Sequence, residues 1–121
     1  MTTPRSALVV DDERDIRELL VLTLGRMGLR VDTAADLSSA RAQLAQAEYD
    51  LCLTDMRLPD GSGQDLIQHI SQRYPDTPVA MITAFGNVEA AVQALKAGAF
   101  DFVTKPVDLS VLRRLVQHAL D

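Results

Sequence analysis

Apolar runs of strand length alternate along this chain with segments whose apolar residues recur at helical spacing. Leu8-Val9-Val10 opens the series, and Ile16, Leu19, Leu20, Thr23, Leu24 and Met27 then trace one face of a helix. Asp11, Asp12 and Glu13 suit the start of that helix and Gly28 its end. Leu29 to Ala34 alternates as a second strand, with Leu29, Val31 and Thr33 on one face, and Asp36 is placed to cap a helix through about Ala47. Leu37, Ala40 and Leu44 form its apolar stripe. A third strand spans Asp50 to Thr54, followed by the turn signal Leu58-Pro59-Asp60-Gly61-Ser62-Gly63. The next helix carries Leu66, Ile67 and Ile70 and ends before Pro75 and Pro78. Val79 to Ile82 is the fourth strand. Asn87 then caps a helix expected to bury Val88, Ala91, Val92 and Leu95, closed by Gly98. Phe100 to Thr104 is a short fifth strand, and Asp108 caps a last helix with Leu112, Leu115, Val116 and Ala119 inward.

Strand and helix alternating five times predict an α/β fold: a doubly wound, five-stranded parallel sheet of flavodoxin-like type with five helices. Right-handed crossovers favour the strand order 2-1-3-4-5, which makes the first and third strands neighbours at the switch point. Parallel strands bring their carboxyl ends to one edge, and four of the runs end there on polar residues. Leu8-Val9-Val10 leads into Asp11-Asp12-Glu13, Leu51-Cys52-Leu53-Thr54 into Asp55, Val79 to Ile82 into Thr83, and Phe102-Val103-Thr104 into Lys105-Pro106. Asp11, Asp12 and Asp55 are therefore expected to face one another across a crevice.

Composition narrows the setting. At 121 residues, 47% of them apolar, the chain reads as a single domain with a real core. No apolar stretch approaches the roughly 20 residues of a membrane span, and Met1 to Ser6 has no signal-peptide character. The single cysteine, Cys52, fits a reducing cytoplasm. A net charge of −5 argues against direct nucleic-acid binding by this domain.

The clustered acids need a counter-charge, because two carboxylates ~4 Å apart repel by roughly 4 kcal/mol at an effective dielectric of about 20. Either one of them holds a proton or a cation sits among them. Carboxylate oxygens with no neighbouring His or Cys suit Mg²⁺ rather than zinc. With Mg²⁺ present a carboxylate can accept a phosphoryl group, and Asp55, at the tip of the central strand, is the best-placed nucleophile. Lys105 offers a point charge for phosphate and Thr83 a hydroxyl donor.

Taken together, Val-Val-Asp11-Asp12-Glu13, Leu-Thr-Asp55-Met-Arg-Leu-Pro59-Asp-Gly61, Met-Ile-Thr83-Ala84 and Phe102-Val-Thr-Lys105-Pro106 resemble the receiver domain of bacterial two-component response regulators. The resemblance covers almost the whole chain, so residues 1–121 are expected to form one receiver domain. The stretch Thr77 to Leu109 is more similar to the NtrC-type subgroup, and the wording around Asp55 resembles regulators of type IV pili within it. The resemblance implies that Asp55 takes a phosphoryl group from the phosphohistidine of a sensor histidine kinase. It implies Mg²⁺ bound by Asp12 directly, by Asp11 largely through water, and by Asp55 and the Arg57 backbone carbonyl. Thr83 and Lys105 would contact the phosphoryl group, Ala84 would leave room for it, and the Lys105–Pro106 bond would be cis. Phe102 stands where family members often carry Tyr, so the readout through helix four, strand five and helix five would rest on ring packing. Arg57 and Phe85, two residues after the acceptor and after Thr83, are expected to slow hydrolysis by shielding the in-line path. Such a domain catalyses only its own phosphorylation and dephosphorylation, and is not an enzyme with an outside substrate. An AAA+ ATPase and a DNA-binding output domain would follow in a full-length regulator, although a stand-alone receiver is an alternative. Homodimers are common in such domains, and Ala90, Ala94 and Ala97, taken as exposed, would permit close packing.

Each residue has a plainer reading on its own. Asp11 and Asp12 could only cap a helix, Thr83 could be a β-branched strand end, and Lys105 a solvated lysine. Four such coincidences at four strand ends are much harder to accept than one site. Cys52, Met56 and Met81 read as packing residues, Phe102 as switch or static core, and His69 and His118 as unpartnered. Val21 and Leu22 fall off the buried stripe of the first helix. Two rivals fit less well. A carboxylate-nucleophile phosphatase would want an acid where Arg57 stands, and a flavodoxin-like cofactor binder would not place Asp11-Asp12-Glu13 after its first strand.

Overall fold

The computed structural model describes residues 4–84 and 87–121. Five parallel strands, β1 (Ser6–Val10), β2 (Arg30–Ala34), β3 (Leu51–Asp55), β4 (Val79–Ala84) and β5 (Asp101–Lys105), form one sheet in the order β2-β1-β3-β4-β5. Between and after them run α1 (Arg14–Arg26), α2 (Leu37–Gln46), α3 (Gly63–Arg73), α4 (Val88–Ala97) and α5 (Leu109–Leu120). The predicted architecture and strand order are those observed. A small antiparallel ladder, Arg57–Leu58 with Gly61–Ser62, tightens the turn after β3.

β1 and β3 are buried at every position because helices cover both faces of the sheet, which is why they read as continuous apolar runs. Leu8, Val10, Cys52 and Met81 point to the face of α2 and α3, where Leu37, Leu44, Leu66, Ile67 and Ile70 complete one core. Ala7, Val9, Leu51, Leu53 and Ile82 point the other way, onto Leu20 and Leu24 of α1 and Leu112, Leu115 and Val116 of α5. Burying a side chain of this size contributes roughly 1.5–3 kcal/mol, so the two cores fix the register that aligns the strand ends. In that register Val10 lies beside Thr54, Asp55 beside Ile82, and Ala84 beside Lys105.

The expected caps form. Asp36 accepts from the Ser39 N–H at 2.7 Å, Asn87 from Ala90 at 3.2 Å, and Asp108 from Ser110 at 2.9 Å. Gly28, at φ +91°, turns the chain out of α1.

One helix face differs from expectation. The buried residues of α4 are Ala91 and Ala94, whereas Val88, Val92 and Leu95 are exposed, Val88 to 72%. Periodicity found the apolar stripe but not its direction: the stripe toward the sheet is the small one. Ala94 is fully buried and Ala90 and Ala97 half-buried, so Ala94 is not available to a partner. Val21 and Leu22 are exposed on α1.

Candidate functional site

Asp11 leaves β1 at its carboxyl end and is fully buried. Its Oδ1 accepts from the Glu13 N–H at 2.8 Å, and its carbonyl accepts from the Arg17 guanidinium at 2.8 Å. Its Oδ2 has no hydrogen-bond partner among the described residues, although it lies 3.2 Å from Lys105 Nζ as an ion pair. Asp55 ends β3 and is 7% exposed. Its Oδ1 accepts from the Met56 N–H at 2.8 Å, and its Oδ2 lies 3.3 Å from Lys105 Nζ. Asp12 is exposed at the rim, and one oxygen from each of Asp11, Asp12 and Asp55 falls within 4.8 Å of the others. Glu13, also exposed, reaches Lys105 at 3.5 Å.

The electrostatics follow from burial. Burial raises the Asp11 carboxyl above the usual carboxylate range; the Glu13 N–H opposes this and the charge of Asp55 adds to it. Burial also raises Asp55, against the opposing charge of Lys105. Burial alone would lower Lys105, but the charges of Asp11 and Asp55 hold it above the usual lysine value. One ammonium thus serves two buried acids, and a third acid stands at the mouth. A buried carboxylate oxygen without a hydrogen bond, beside two more carboxylates, is a donor set that fits a hard divalent cation such as Mg²⁺.

The loop after β3 is held by devices that only the folded chain reveals. Gly63 starts α3 so close to β3 that a Cβ there would lie 1.9 Å from the Asp55 carbonyl oxygen. It is more than a turn glycine, since any side chain here would have to push α3 away from the end of β3. Asp60 caps α2 from outside that helix, accepting from the Leu37 N–H at 2.8 Å and the Ser38 N–H at 3.0 Å. These bonds hold its carboxyl below the usual range. Arg57 is exposed and pairs with Ser62 in the small ladder.

Thr83 is fully buried near the end of β4, and its hydroxyl donates to Met56 Sδ at 3.7 Å. The Asn87 amide also reaches that sulfur, at 3.2 Å. Ala84 is exposed beside Lys105, and the Lys105–Pro106 peptide bond is cis. Phe102 is half-buried and packs against the core on the α2–α3 side of the sheet, which also includes Ala94 and Ala99. Phe85 lies outside the described residues. Asp11, Asp12, Asp55 and Lys105 are brought together. Thr83 and Phe102 lie on the neighbouring strands β4 and β5. Sequence reasoning missed Met56 and Asp60 as polar partners, and no local pattern marks either.

Residues 7–117 match the family model described as "Response regulator receiver domain". The chain belongs to that family. The receiver is 66% identical over 116 residues to the response regulator protein PilR of Pseudomonas aeruginosa, a match covering 96% of this chain and 26% of that protein. It is 37% identical over 120 residues to the regulatory protein AtoC of Escherichia coli, covering 99% and 26%. The DNA-binding transcriptional regulator NtrC of Salmonella typhimurium is 38% identical over 112 residues, covering 93% and 24%. The receiver therefore spans about a quarter of the length of these curated relatives. Among solved structures, the receiver domain of NtrX from Brucella abortus superimposes with a TM-score of 0.90 at 38% identity, covering 94% of this chain and 97% of that one. The beryllofluoride-activated NtrC4 receiver domain dimer does so with a TM-score of 0.89 at 35% identity, covering 95% of each chain. The NtrC-type and PilR-like character read from the motifs agrees with these similarities.

Proposed function

We propose that this receiver is a Mg²⁺-dependent phosphoacceptor switch whose acceptor is Asp55. The observation that carries the reading is the pairing of a nearly buried carboxylate at the β3 tip with Lys105 at 3.3 Å and with two further acids within 4.8 Å. An Asp55 oxygen attacks the phosphorus of a kinase phosphohistidine. The new bond is an acyl phosphate, the P–N bond breaks, and its electron pair stays with the departing imidazole. Asp11, Asp12 and Asp55, with the Arg57 carbonyl, would hold the cation. When bound, Mg²⁺ supplies positive charge against the phosphoryl oxygens. Lys105 supplies the second positive charge from the side of β5, and that charge opposes the upward push of burial on the Asp55 carboxyl.

Phosphorylation adds about −1.5 to −2 charge at Asp55. The Thr83 hydroxyl would turn to a phosphoryl oxygen, and Phe102 would repack toward the space it leaves, altering the face of α4, β5 and α5. The similarity to PilR and NtrC favours a transcriptional activator as the output, with a sensor histidine kinase as donor and a homodimer as one assembled form. In this reading the domain turns over only its own phosphoryl group.

Incubation with a small acyl phosphate and Mg²⁺ tests the proposal. Acid-labile, EDTA-sensitive labelling that Asp55→Asn abolishes is expected. Labelling that survives EDTA, or that persists in Asp55→Asn, would overturn it.

A further inference from the structure

We propose that the Met56 thioether is a latch holding the switch in its resting arrangement, a positioning role for the residue next to the acceptor. The inference rests on the phosphoacceptor reading above and adds to it the group that phosphorylation must displace.

Met56 Sδ lies 3.2 Å from Asn87 Nδ2 and 3.7 Å from Thr83 Oγ1, so one sulfur accepts from both. Asn87 is at the same time the N-cap of α4, its Oδ1 accepting from the Ala90 N–H at 3.2 Å. The backbone N–H of Met56 donates to Asp55 Oδ1 at 2.8 Å and lies 3.1 Å from the Ile82 carbonyl. A single residue therefore joins the acceptor carboxylate, the switch hydroxyl and the first turn of α4. A leucine or isoleucine at this position would fill the same volume and accept nothing.

The strength of the latch suits its task. A thioether is a weak acceptor, whereas a phosphoryl oxygen is charged and accepts roughly twice as strongly as a neutral group. Thr83 is thus held while Asp55 is free and released when Asp55 carries phosphate. Loss of the Thr83 bond leaves the sulfur with Asn87 alone, which loosens the tie to α4. A cleft of about 400 Å³ beside the thioether, lined by Arg57, Asn87, Ala90 and Gln93, gives this end of α4 room to move. Removing the sulfur should shift the population toward the active arrangement without any phosphate.

Amide correlation spectra of the ¹⁵N-labelled chain with Mg²⁺ test the latch, with and without beryllofluoride as a stand-in for the phosphoryl group. Met56→Leu conserves volume and removes the acceptor. Asn87→Ser keeps a capping oxygen and removes the donor that reaches sulfur. Without beryllofluoride, the signals of Ala84 and of Asn87 to Ala91 in Met56→Leu are expected to move along the line toward their positions in the beryllofluoride-bound wild type. The expected size is about a two- to five-fold rise in the active-to-resting ratio, as for loss of a modest hydrogen bond. Asn87→Ser should move its remaining signals the same way, and the double variant by less than the sum. Signals of both variants that stay at the unliganded wild-type positions, or leave that line, overturn the latch while beryllofluoride still shifts the wild type. A wild type that beryllofluoride does not shift overturns the phosphoacceptor reading, and the latch with it.

Discussion

Asp11→Asn should make the metal-free domain more stable, although it removes one partner of a buried ion pair. Asp11 Oδ2 sits 3.2 Å from Lys105 Nζ, an attraction of about 5 kcal/mol at an effective dielectric near 20. Against it stand Asp12 and Asp55, whose oxygens lie within 4.8 Å, at about 3.5 kcal/mol of repulsion each on the same scale. Asp12 is exposed, so solvent screens its share to roughly half of that figure. Attraction and repulsion then nearly cancel. What is left is the cost of burying an ionised oxygen without a hydrogen bond, on the order of 1–3 kcal/mol. An asparagine amide at the same place is neutral and can donate toward the remaining carboxylates. In EDTA at pH 7 the variant should therefore gain about 1–3 kcal/mol, or about 4–12 °C in Tm for a domain of this size.

The sign with pH is fixed by the direction of the shift. The folded carboxyl of Asp11 is raised above 3.8, chiefly by burial, so the folded state binds the proton more tightly than the unfolded one. Below 3.8 both states are protonated and the variant has no advantage from charge. As pH rises through the folded pKa the wild type loses stability, and above it the full gap is open. Mg²⁺ should close the gap from the other side, since a ligand at 100 times its Kd stabilises by about 2.7 kcal/mol and the variant has lost one oxygen ligand. Urea unfolding followed by circular dichroism at pH 3 and pH 7, with EDTA or Mg²⁺, reads all four conditions. A variant no more stable than wild type in EDTA at pH 7, or a gap unchanged at pH 3, would refute the charge reasoning.

Three other expectations follow from packing and caps. Gly63→Ala would press a methyl to 1.9 Å from the Asp55 carbonyl, so it should cost about 3 kcal/mol or more in urea unfolding and slow labelling of Asp55; unchanged stability would contradict the close approach. Val92→Gln should alter stability by no more than about 0.5 kcal/mol, whereas Ala94→Val should cost about 1–3 kcal/mol, because Val92 is exposed and Ala94 is fully buried. The reverse order in denaturant melts would restore the helix face expected from sequence. Asp60→Ala should lower the urea midpoint and weaken Mg²⁺ binding, because it frees the loop carrying Arg57 from the start of α2. Calorimetric Mg²⁺ titration equal to wild type would separate the cap from the site.

What could be read from the chain was whatever is encoded over a few residues or by complete burial. β1 and β3 are apolar throughout because both faces are covered, and Asp36, Asn87 and Asp108 cap helices that begin at the very next residue. The four strand ends were legible because parallel pairing leaves them a single edge to share. Illegible were the links that close through space. Asp60 reaches Leu37 and Ser38 across more than twenty residues, and Met56 reaches Thr83 and Asn87 across about thirty. The misread face of α4 has a different cause, and it bears on function. Both stripes of that helix are apolar, so periodicity could not choose between them, and the stripe that went inward consists of alanines. Burial stabilises in proportion to area, at roughly 25 cal/mol per Å². Ala91 and Ala94 therefore anchor α4 far more weakly than Leu66, Ile67 and Ile70 anchor α3. A helix held by little apolar area, with Val88, Val92 and Leu95 already in solvent, loses little by shifting. Its first turn is tied through Asn87 to the sulfur beside the acceptor, so a change at Asp55 would reach a helix held by little buried apolar area.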